Sequence, residues 1–341
     1  MKNLFIGLSL ATTAMIHFTS SSLAEPAGLQ QLYIDMPHHN APAAVSVWYP
    51  NKSDGPSKLH AENPVFKGVE AVMDAPVAEG QFPIVLFSHG MGGTSRAQAW
   101  LASALAKRGA LVISLNHPNT TWGDFNMQKG VKHWTRALDI SSALDSISQN
   151  SKFKDHIDES RIMAAGFSYG GWTALSLGGM TSNHAGFVSA CQTDQKMAAC
   201  ELLLSEKVNM QGQDADIWNA SYKDERVTHV AAIDPGFVWG LNEQNTKDLV
   251  ENVTLIGFGD DATRMSATNF KASGLSKLLP NAEIKQFVPG FHFTAMPLCK
   301  PEAEAILKSE KDDPVCTDPK GTNREAVHMQ IIDIITKKIG L

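Results

Sequence analysis

The pentapeptide Gly166-Phe167-Ser168-Tyr169-Gly170 constrains the fold of this chain more than any other stretch. The mainly apolar run at 161–165 before it predicts a buried strand, and the run at 171–177 after it predicts a helix. A turn this tight leaves no room for side chains beside its tip, so glycines stand two residues to either side of the serine. The Ser168 hydroxyl is then held at the tip, beside the positive end of the helix.

Predicted strands and helices alternate on both sides of this turn. Apolar runs predict strands at 44–49, 83–87, 110–115, 161–165, 227–233, 253–257 and 282–288. Helical spacing predicts helices at 97–108, 136–150, 171–177, 269–279 and 324–339. The alternation implies an α/β class with a mainly parallel central sheet and helices on both faces. With the glycine-flanked serine, it is typical of the α/β-hydrolase fold.

The N-terminus has the pattern of a signal peptide. Lys2 precedes a mostly apolar run at 4–18, and small residues at Ser22 and Ala24 predict cleavage after Ala24. We expect residues 25–341 to form a single domain, with an insertion at about 181–226 that matches no core strand. The apolar run is too short for a comfortable membrane span, so we expect a secreted or periplasmic protein without stable membrane insertion.

Cysteine usage and charge narrow the class of protein further. The four cysteines are close in pairs, which favours Cys191–Cys200 and Cys299–Cys316 among the three pairings that four cysteines allow. Disulfides are compatible with export. Closely spaced Cys-x-x-Cys or Cys/His pairs are missing, which argues against a metal site at the cysteines. We expect no metal and no organic cofactor, because ester hydrolysis by a serine nucleophile requires neither. A net charge of -6 without a Lys/Arg cluster argues against nucleic-acid binding. The sequence leaves the oligomeric state open.

A serine hydroxyl needs a base to become a nucleophile, and in this fold the partners follow in the order Ser, acid, His. His292 follows the last predicted strand after Pro289-Gly290, so we predict that it is the base. Two aspartates are candidates for the acid. Asp260 follows the strand at 253–257 and is favoured, whereas Asp234 follows the preceding strand and stays as the alternative.

An oxyanion hole requires two backbone N–H donors directed at the developing negative charge. The residue after the nucleophile, Tyr169, supplies the first. The glycine-rich loop at 88–93 follows the strand at 83–87, and we assign the second donor to its Met91. His89 in the same loop is predicted to brace the loop rather than to catalyse.

Several stretches together resemble a known group. These are Phe87-Ser88-His89-Gly90-Met91-Gly92-Gly93, Gly166-Phe167-Ser168-Tyr169-Gly170-Gly171, Gly290-Phe291-His292-Phe293, Cys299 and the segment at 316–328. They resemble the secreted bacterial proteins often called predicted dienelactone hydrolases, which are similar to the platelet-activating-factor acetylhydrolases. The resemblance runs from about Ala44 to the C-terminus. True dienelactone hydrolases use a cysteine nucleophile, so Ser168 departs from what that name suggests.

The resemblance implies a serine carboxylic ester hydrolase with Ser168 and His292 in the catalytic roles and Met91 and Tyr169 as oxyanion donors. The acetylhydrolases place their acid where Asp234 stands, whereas polyester hydrolases place it one strand later, where Asp260 stands. We therefore expect a serine esterase that acts on a short-chain ester or lactone through an acyl-enzyme. The alternatives are a polyester or phospholipid acyl hydrolase, a serine peptidase and a non-catalytic binding protein. Seven aromatic residues are candidates for an acyl pocket: Trp122, Trp134, Phe167, Tyr169, Trp172, Phe237 and Trp239.

Overall fold

A ten-stranded sheet runs through the part of the chain that the computed structural model describes, residues 26–53, 55–194 and 197–341. The predicted signal peptide at 1–24 lies outside the described residues. The strands are β1 (Ala27–Met36), β2 (Ala41–Tyr49), β3 (Lys58–His60), β4 (Val69–Met73), β5 (Phe82–Ser88), β6 (Leu111–Leu115), β7 (Thr120–Thr121), β8 (Asp124–Phe125), β9 (Ile157–Phe167), β10 (His229–Ile233), β11 (Asn252–Phe258) and β12 (Glu283–Phe287). The helices are α1 (Ala99–Lys107), α2 (Met127–Gly130), α3 (Trp134–Gln149), α4 (Tyr169–Leu177), α5 (His184–Thr193), α6 (Ala198–Ser205), α7 (Ala215–Asn219), α8 (Leu275–Leu278), α9 (Ala303–Glu310) and α10 (Arg324–Lys338).

The order of the strands confirms the mainly parallel central sheet. Across the sheet they run β12-β11-β10-β9-β5-β6-β2-β1-β4-β3, and β7 and β8 form a separate hairpin. The strands from β12 to β6 are parallel to one another. Because parallel neighbours end at the same edge, the residues that follow β5, β9 and β10 are brought together at the carboxyl edge of the sheet.

Helices cover both faces of this sheet, as predicted. Along β5, Ile84 and Leu86 pack on the same side as α3 and α4, whereas Val85 and Phe87 pack on the side of α1 and α10. Alternate residues of a strand point to opposite faces, so a strand buried on both faces is apolar throughout.

Three strands near the N-terminus were not predicted. Of the strands before residue 80, the sequence indicated only the one at 44–49, whereas β1, β3 and β4 extend the sheet beyond it. β1 pairs with β2 along its whole length and with β4 at its beginning. Gln30 and Gln31 interrupt its apolar pattern, although Leu29 and Met36 are buried. The pairing with two neighbours therefore specifies this strand more strongly than its side chains do.

The helix predicted at 269–279 is wrong over most of its length. The chain forms turns there and becomes helical only at α8. Gly274 stands before α8 with φ of 80°, a left-handed conformation that interrupts a helix.

The predicted insertion at 181–226 contains α5, α6 and α7. A disulfide between Cys191 and Cys200 joins α5 to α6, and a second disulfide joins Cys299 to Cys316. These are the two pairs that the sequence spacing favours. None of the helices in the described ranges is long and apolar enough to cross a membrane.

The last helix, α10, carries a buried histidine. The imidazole of His328 stacks on Trp100 with 3.7 Å between ring centroids, and its Nε2 donates a hydrogen bond to the carbonyl of Thr294 at 3.0 Å. Burial lowers the pKa of His328 to about 4. His60, His117 and His133 are similarly held at a pKa of about 4 by burial.

We predict that the protein loses stability as the pH falls from 6.5 toward 4, and that His328→Gln reduces this loss. The folded-state pKa of His328 lies below the unfolded value of about 6.5, so only the unfolded chain takes up the proton in this range. Each of the buried histidines His117, His133 and His328 lowers the free energy of unfolding by up to about 1.4 kcal/mol per pH unit, and the partly exposed His60 by less. Glutamine keeps a donor for Thr294 but does not titrate. Urea unfolding at pH 7.5, 6.5, 5.5 and 4.5 measures both slopes, and equal slopes for the two proteins would contradict the prediction.

Candidate active site

Ser168 lies at a strained turn between β9 and α4. Its φ of 57° and ψ of -117° are a combination that a residue with a side chain rarely adopts. The flanking glycines are required by contact, since a Cβ on Gly166 would overlap the carbonyl of Gly170, and a Cβ on Gly170 would overlap the carbonyl of Ser88. The turn therefore packs main chain against main chain at the end of β5.

Backbone hydrogen bonds tie this turn to the end of β10. The amide of Ser168 donates to the carbonyl of Ile233 at 2.9 Å, and the carbonyl of Ser168 accepts from the amide of Gly236 at 3.1 Å. Asp234 lies between these two contacts and has a positive φ of 44°. The serine and this aspartate are thus held next to each other by the main chain.

Asp234 pairs with the predicted base. Its Oδ2 lies 2.6 Å from Nδ1 of His292, and both residues are buried. The same oxygen accepts a hydrogen bond from Oγ1 of Thr268 at 2.8 Å. Its Oδ1 forms a 2.8 Å ion pair with Arg264, which is also buried. Gly257 leaves space for this guanidinium, since a Cβ there would overlap it.

Asp260, the aspartate favoured from the sequence, does not contact His292, whereas the alternative Asp234 does. Its carboxylate is exposed and accepts hydrogen bonds from the amides of Ala262 and Thr263 and from Oγ1 of Thr263. Hydrogen bonds from Thr263 lower the pKa of Asp260 below its ordinary value. The side chain stabilises its own turn after Gly259, whose φ is 76°. The carboxylate in contact with the imidazole is that of Asp234.

His292 begins a short 3-10 helix, His292–Ala295, after β12. Its ring lies 4.6 Å from the ring of Phe167, the residue immediately before Ser168. This contact places the imidazole at the elbow. The Ser168 hydroxyl makes no hydrogen bond within the described ranges.

The C-terminal segment fixes the loop that carries His292. Thr294 Oγ1 donates to a carboxylate oxygen of Asp318 at 2.7 Å, and Arg324 binds the other oxygen at 2.8 Å. Arg324 also donates to the carbonyl of Pro297 at 3.0 Å, and His328 holds the carbonyl of Thr294. The segment at 316–328 therefore acts on the site by positioning the histidine loop.

Two backbone N–H groups remain available beside the serine. A Cβ on Gly90 would lie 3.2 Å from Cβ of Ser168, so the loop at 88–93 packs directly on the elbow. Tyr169 is the first residue of α4, whose first amides have no partner within the helix. The amides of Met91 and Tyr169 donate no hydrogen bond to any acceptor in the described chain.

A buried arginine supports this loop from below. Arg136 donates to the carbonyl of His89, to Oγ of Ser88 and to Oγ1 of Thr120. Its guanidinium also lies over the ring of Tyr169, 4.7 Å from the centroid. Burial lowers the pKa of Arg136 to about 10, so it stays charged at neutral pH. No local sequence pattern marks Arg136, so its role in supporting the loop was not predicted from the sequence.

A second Ser-His-Asp chain lies behind the loop. Nε2 of His117 accepts from Ser88 Oγ at 2.9 Å, and its Nδ1 lies 2.8 Å from Oδ2 of Asp139. All three residues are buried, and Ser88 already receives Arg136. His89 bonds the carbonyl of Gly90 at 2.7 Å, in keeping with its predicted bracing role. These contacts support the loop at 88–93 from behind.

Aromatic rings line the other side of the elbow. Phe237 stacks on Tyr169 with 4.5 Å between centroids and on Phe187 with 5.1 Å. Trp172 is fully buried in α4, and Trp239 is partly buried nearby. Trp122, in contrast, is 78% exposed at the tip of the β7–β8 hairpin. Some of the seven aromatic residues therefore form a wall beside the elbow, whereas others, such as Trp122, lie away from it.

Comparison of the sequence with models of known protein families agrees with the sheet order and the elbow geometry. Residues 83–232 match a family model described as the alpha/beta hydrolase fold. The protein has the α/β-hydrolase fold. Comparison with curated proteins finds no match.

Solved structures with the α/β-hydrolase fold resemble this chain over most of its length. A ferulic acid esterase from Streptomyces cinnamoneus has a TM-score of 0.57 and 15% identity, covering 94% of this chain and 91% of its own. The esterase Est22 has a TM-score of 0.49 and 13% identity, with coverages of 93% and 83%. An acylaminoacyl peptidase from Pyrococcus horikoshii has a TM-score of 0.48 and 11% identity, with coverages of 89% and 44%. At 15% identity the likeness to the ferulic acid esterase shows the fold alone.

We predict that Gly170→Ala destabilises the protein and that Gly236→Ala does not. A Cβ on Gly170 would overlap main-chain atoms of Ser88, whereas a Cβ on Gly236 would meet no atom within 4 Å. Overpacking of this kind costs about 3 kcal/mol of the free energy of unfolding. Urea unfolding of both variants measures the difference. Equal stabilities would mean that the elbow is not packed against β5 as described.

Proposed function

We propose that the protein is a serine carboxylic ester hydrolase that works through a Ser168–His292–Asp234 triad. The observation that carries the proposal is the buried 2.6 Å pair of Asp234 and His292, with the imidazole against the residue that precedes a strained serine. Support also comes from the two unpaired amides of Met91 and Tyr169 beside that serine. The elbow, the acid, the base and the oxyanion donors all follow the carboxyl ends of neighbouring strands.

Acylation begins when Oγ of Ser168 attacks the carbonyl carbon of a bound ester. Nε2 of His292 takes the hydroxyl proton, which is feasible because its Nδ1–H is held by Asp234. Asp234 fixes this tautomer and stabilises the imidazolium that forms. Arg264 and Thr268 hold the carboxylate in place, so we describe them as positioning residues.

Negative charge collects on the former carbonyl oxygen, where the amides of Met91 and Tyr169 bind it. Arg136 contacts both the loop of Met91 and the ring of Tyr169 and holds them in fixed positions. The two amides therefore move little during the reaction. His292 then returns the proton to the departing alcohol, leaving an acyl group on Ser168. Water, activated by the same imidazole, releases the carboxylic acid and regenerates the enzyme.

The substrate that we propose is a short-chain ester or a lactone. Phe237 is stacked between Tyr169 and Phe187, so rings fill the wall beside the elbow, and we propose that they confine the acyl group of the substrate. A small acyl group fits such a space better than a long chain. Polymeric esters remain within the proposal if a single ester unit reaches Ser168.

Membership of the group called predicted dienelactone hydrolases, related to the acetylhydrolases, is the narrower part of this proposal. It is supported by the anchoring of the histidine loop by Asp318, Arg324 and His328, which lie in the stretch that carries the resemblance. It is also supported by the pairing of Asp234 with His292, the arrangement implied by the acetylhydrolases. The two disulfides are compatible with an exported protein, and we propose a secreted or periplasmic location.

We predict that Ser168→Ala abolishes hydrolysis of p-nitrophenyl acetate and butyrate without loss of stability. Removing the nucleophile of such a triad lowers kcat by about 10⁶-fold. Wild type should turn over the acetate and butyrate faster than the laurate, and faster than a p-nitroanilide. Equal turnover by wild type and Ser168→Ala would exclude this serine, and faster anilide cleavage would favour a peptidase.

We predict that Asp234→Asn and Asp260→Asn differ sharply in activity. An asparagine at position 234 would present its amide to Nδ1 of His292 and favour the wrong tautomer, lowering kcat by about 10⁴-fold. Asp260 is exposed and bonds only its own turn, so its replacement should change kcat by no more than about twofold. Steady-state kinetics with p-nitrophenyl acetate decides between them. A large loss at Asp260 alone would reverse the assignment.

A further inference from the structure

Three side chains that the proposed reaction does not use converge between the first two strands and α3. His38 and His39 lie in the short helix Pro37–His39 that joins β1 to β2, and Asp139 lies in α3. Nε2 of His38 and Nε2 of His39 lie 2.7 Å and 3.0 Å from Oδ1 of Asp139. One ligand atom from each residue therefore falls within 4.8 Å of the other two.

The nitrogen of His39 is the unusual member of this cluster. Its side chain is 8% exposed, and its Nε2 is buried. Its one polar contact in the described ranges is with Oδ1 of Asp139 at 3.0 Å, at an angle that is poor for a hydrogen bond. A buried nitrogen with so weak a hydrogen bond would gain from a better partner.

The carboxylate of Asp139 makes its direct contacts with imidazoles. It is fully buried, and His38, His39 and His117 lie within 3.0 Å of its oxygens, while the guanidinium of Arg136 acts on it from farther away. The site thus places a buried carboxylate oxygen beside two imidazole nitrogens.

We propose that His38 Nε2, His39 Nε2 and Asp139 Oδ1 form a binding site for a divalent transition-metal ion, with Zn²⁺ as the ion that fits best. Two imidazole nitrogens and one carboxylate oxygen are a common three-ligand set for zinc, with water in the fourth position. Zinc–ligand distances of about 2.0–2.1 Å at tetrahedral angles separate ligand atoms by about 3.3 Å. Zinc binding therefore requires the rings of His38 and His39 to move so that their Nε2 atoms take up this spacing.

Binding requires that both histidines present an unprotonated Nε2, with their protons on Nδ1. His38 must give up its hydrogen bond to Asp139, and the ion replaces it with a stronger contact to both groups. The His38 side chain is 19% exposed, which provides an entry path from solvent. The ion would join the β1–β2 connection to α3.

The site is coupled to the oxyanion side through Asp139. Its second oxygen holds Nδ1 of His117, whose Nε2 accepts from Ser88, the residue before the loop of Met91. A carboxylate that binds a metal with one oxygen and a histidine with the other is a usual arrangement around metal ligands. We infer that the ion has a structural role and stiffens the support of this loop.

Titration of the full chain with ZnCl₂ tests the proposal directly. The protein should carry no histidine tag and should first be freed of metal with a chelator. Isothermal titration calorimetry should give one Zn²⁺ per chain, and thermal unfolding should shift upward with added zinc. Co²⁺ in its place should give the visible absorption of a four- or five-coordinate site.

His39→Ala and His38→Ala should each weaken zinc binding by at least tenfold and remove the thermal shift. His156→Ala is the matched control, because this half-buried histidine bonds Gly80 far from the cluster and should leave both readouts unchanged. Ser168→Ala should bind zinc as wild type does, so this test is independent of the proposed esterase activity. No zinc binding by wild type, or equal binding by wild type and His39→Ala, would overturn the proposal.

Discussion

The close packing of main chain around Ser168 is the constraint on which the candidate site depends. Gly166 and Gly170 let the turn after β9 press against the end of β5, and a side chain at either glycine would overlap backbone atoms. This contact brings the Met91 loop and the first amide of α4 to the same side of the serine. This packing forces a positive φ on Ser168, which is a strained conformation. Backbone hydrogen bonds to the end of β10 hold the residue in that conformation.

The histidine is held by contacts from distant parts of the chain. Asp234 contacts the imidazole of His292 on one side. Asp318, Arg324 and His328 hold the loop of His292 on the other side. The ion pair of Asp234 with Arg264 is buried, and removing one partner of such a pair leaves an uncompensated charge. The C-terminal segment thus holds the loop of His292 in place, and in the proposed mechanism it acts by positioning this base.

Local sequence patterns were sufficient for some of these features and insufficient for others. The elbow and the loop of His292 could be predicted because tight turns at strand ends require particular residues at fixed spacing. The proposed acid, Asp234, could not be distinguished from Asp260 by sequence, because both residues follow parallel strands. Only the direction of the chain after Gly259 turns Asp260 to solvent. Arg136 was missed because its partners come from three separate segments, and β1 was missed because pairing with neighbouring strands outweighs its glutamines.

The most direct test of the account is a crystal structure of the protein after reaction with a short-chain alkyl fluorophosphonate. The account predicts a covalent bond from phosphorus to Oγ of Ser168. It also places the phosphoryl oxygen about 2.7–3.1 Å from the amide nitrogens of Met91 and Tyr169, with Asp234 still paired to His292. A label on another residue, or a phosphoryl oxygen directed away from those two amides, would contradict it.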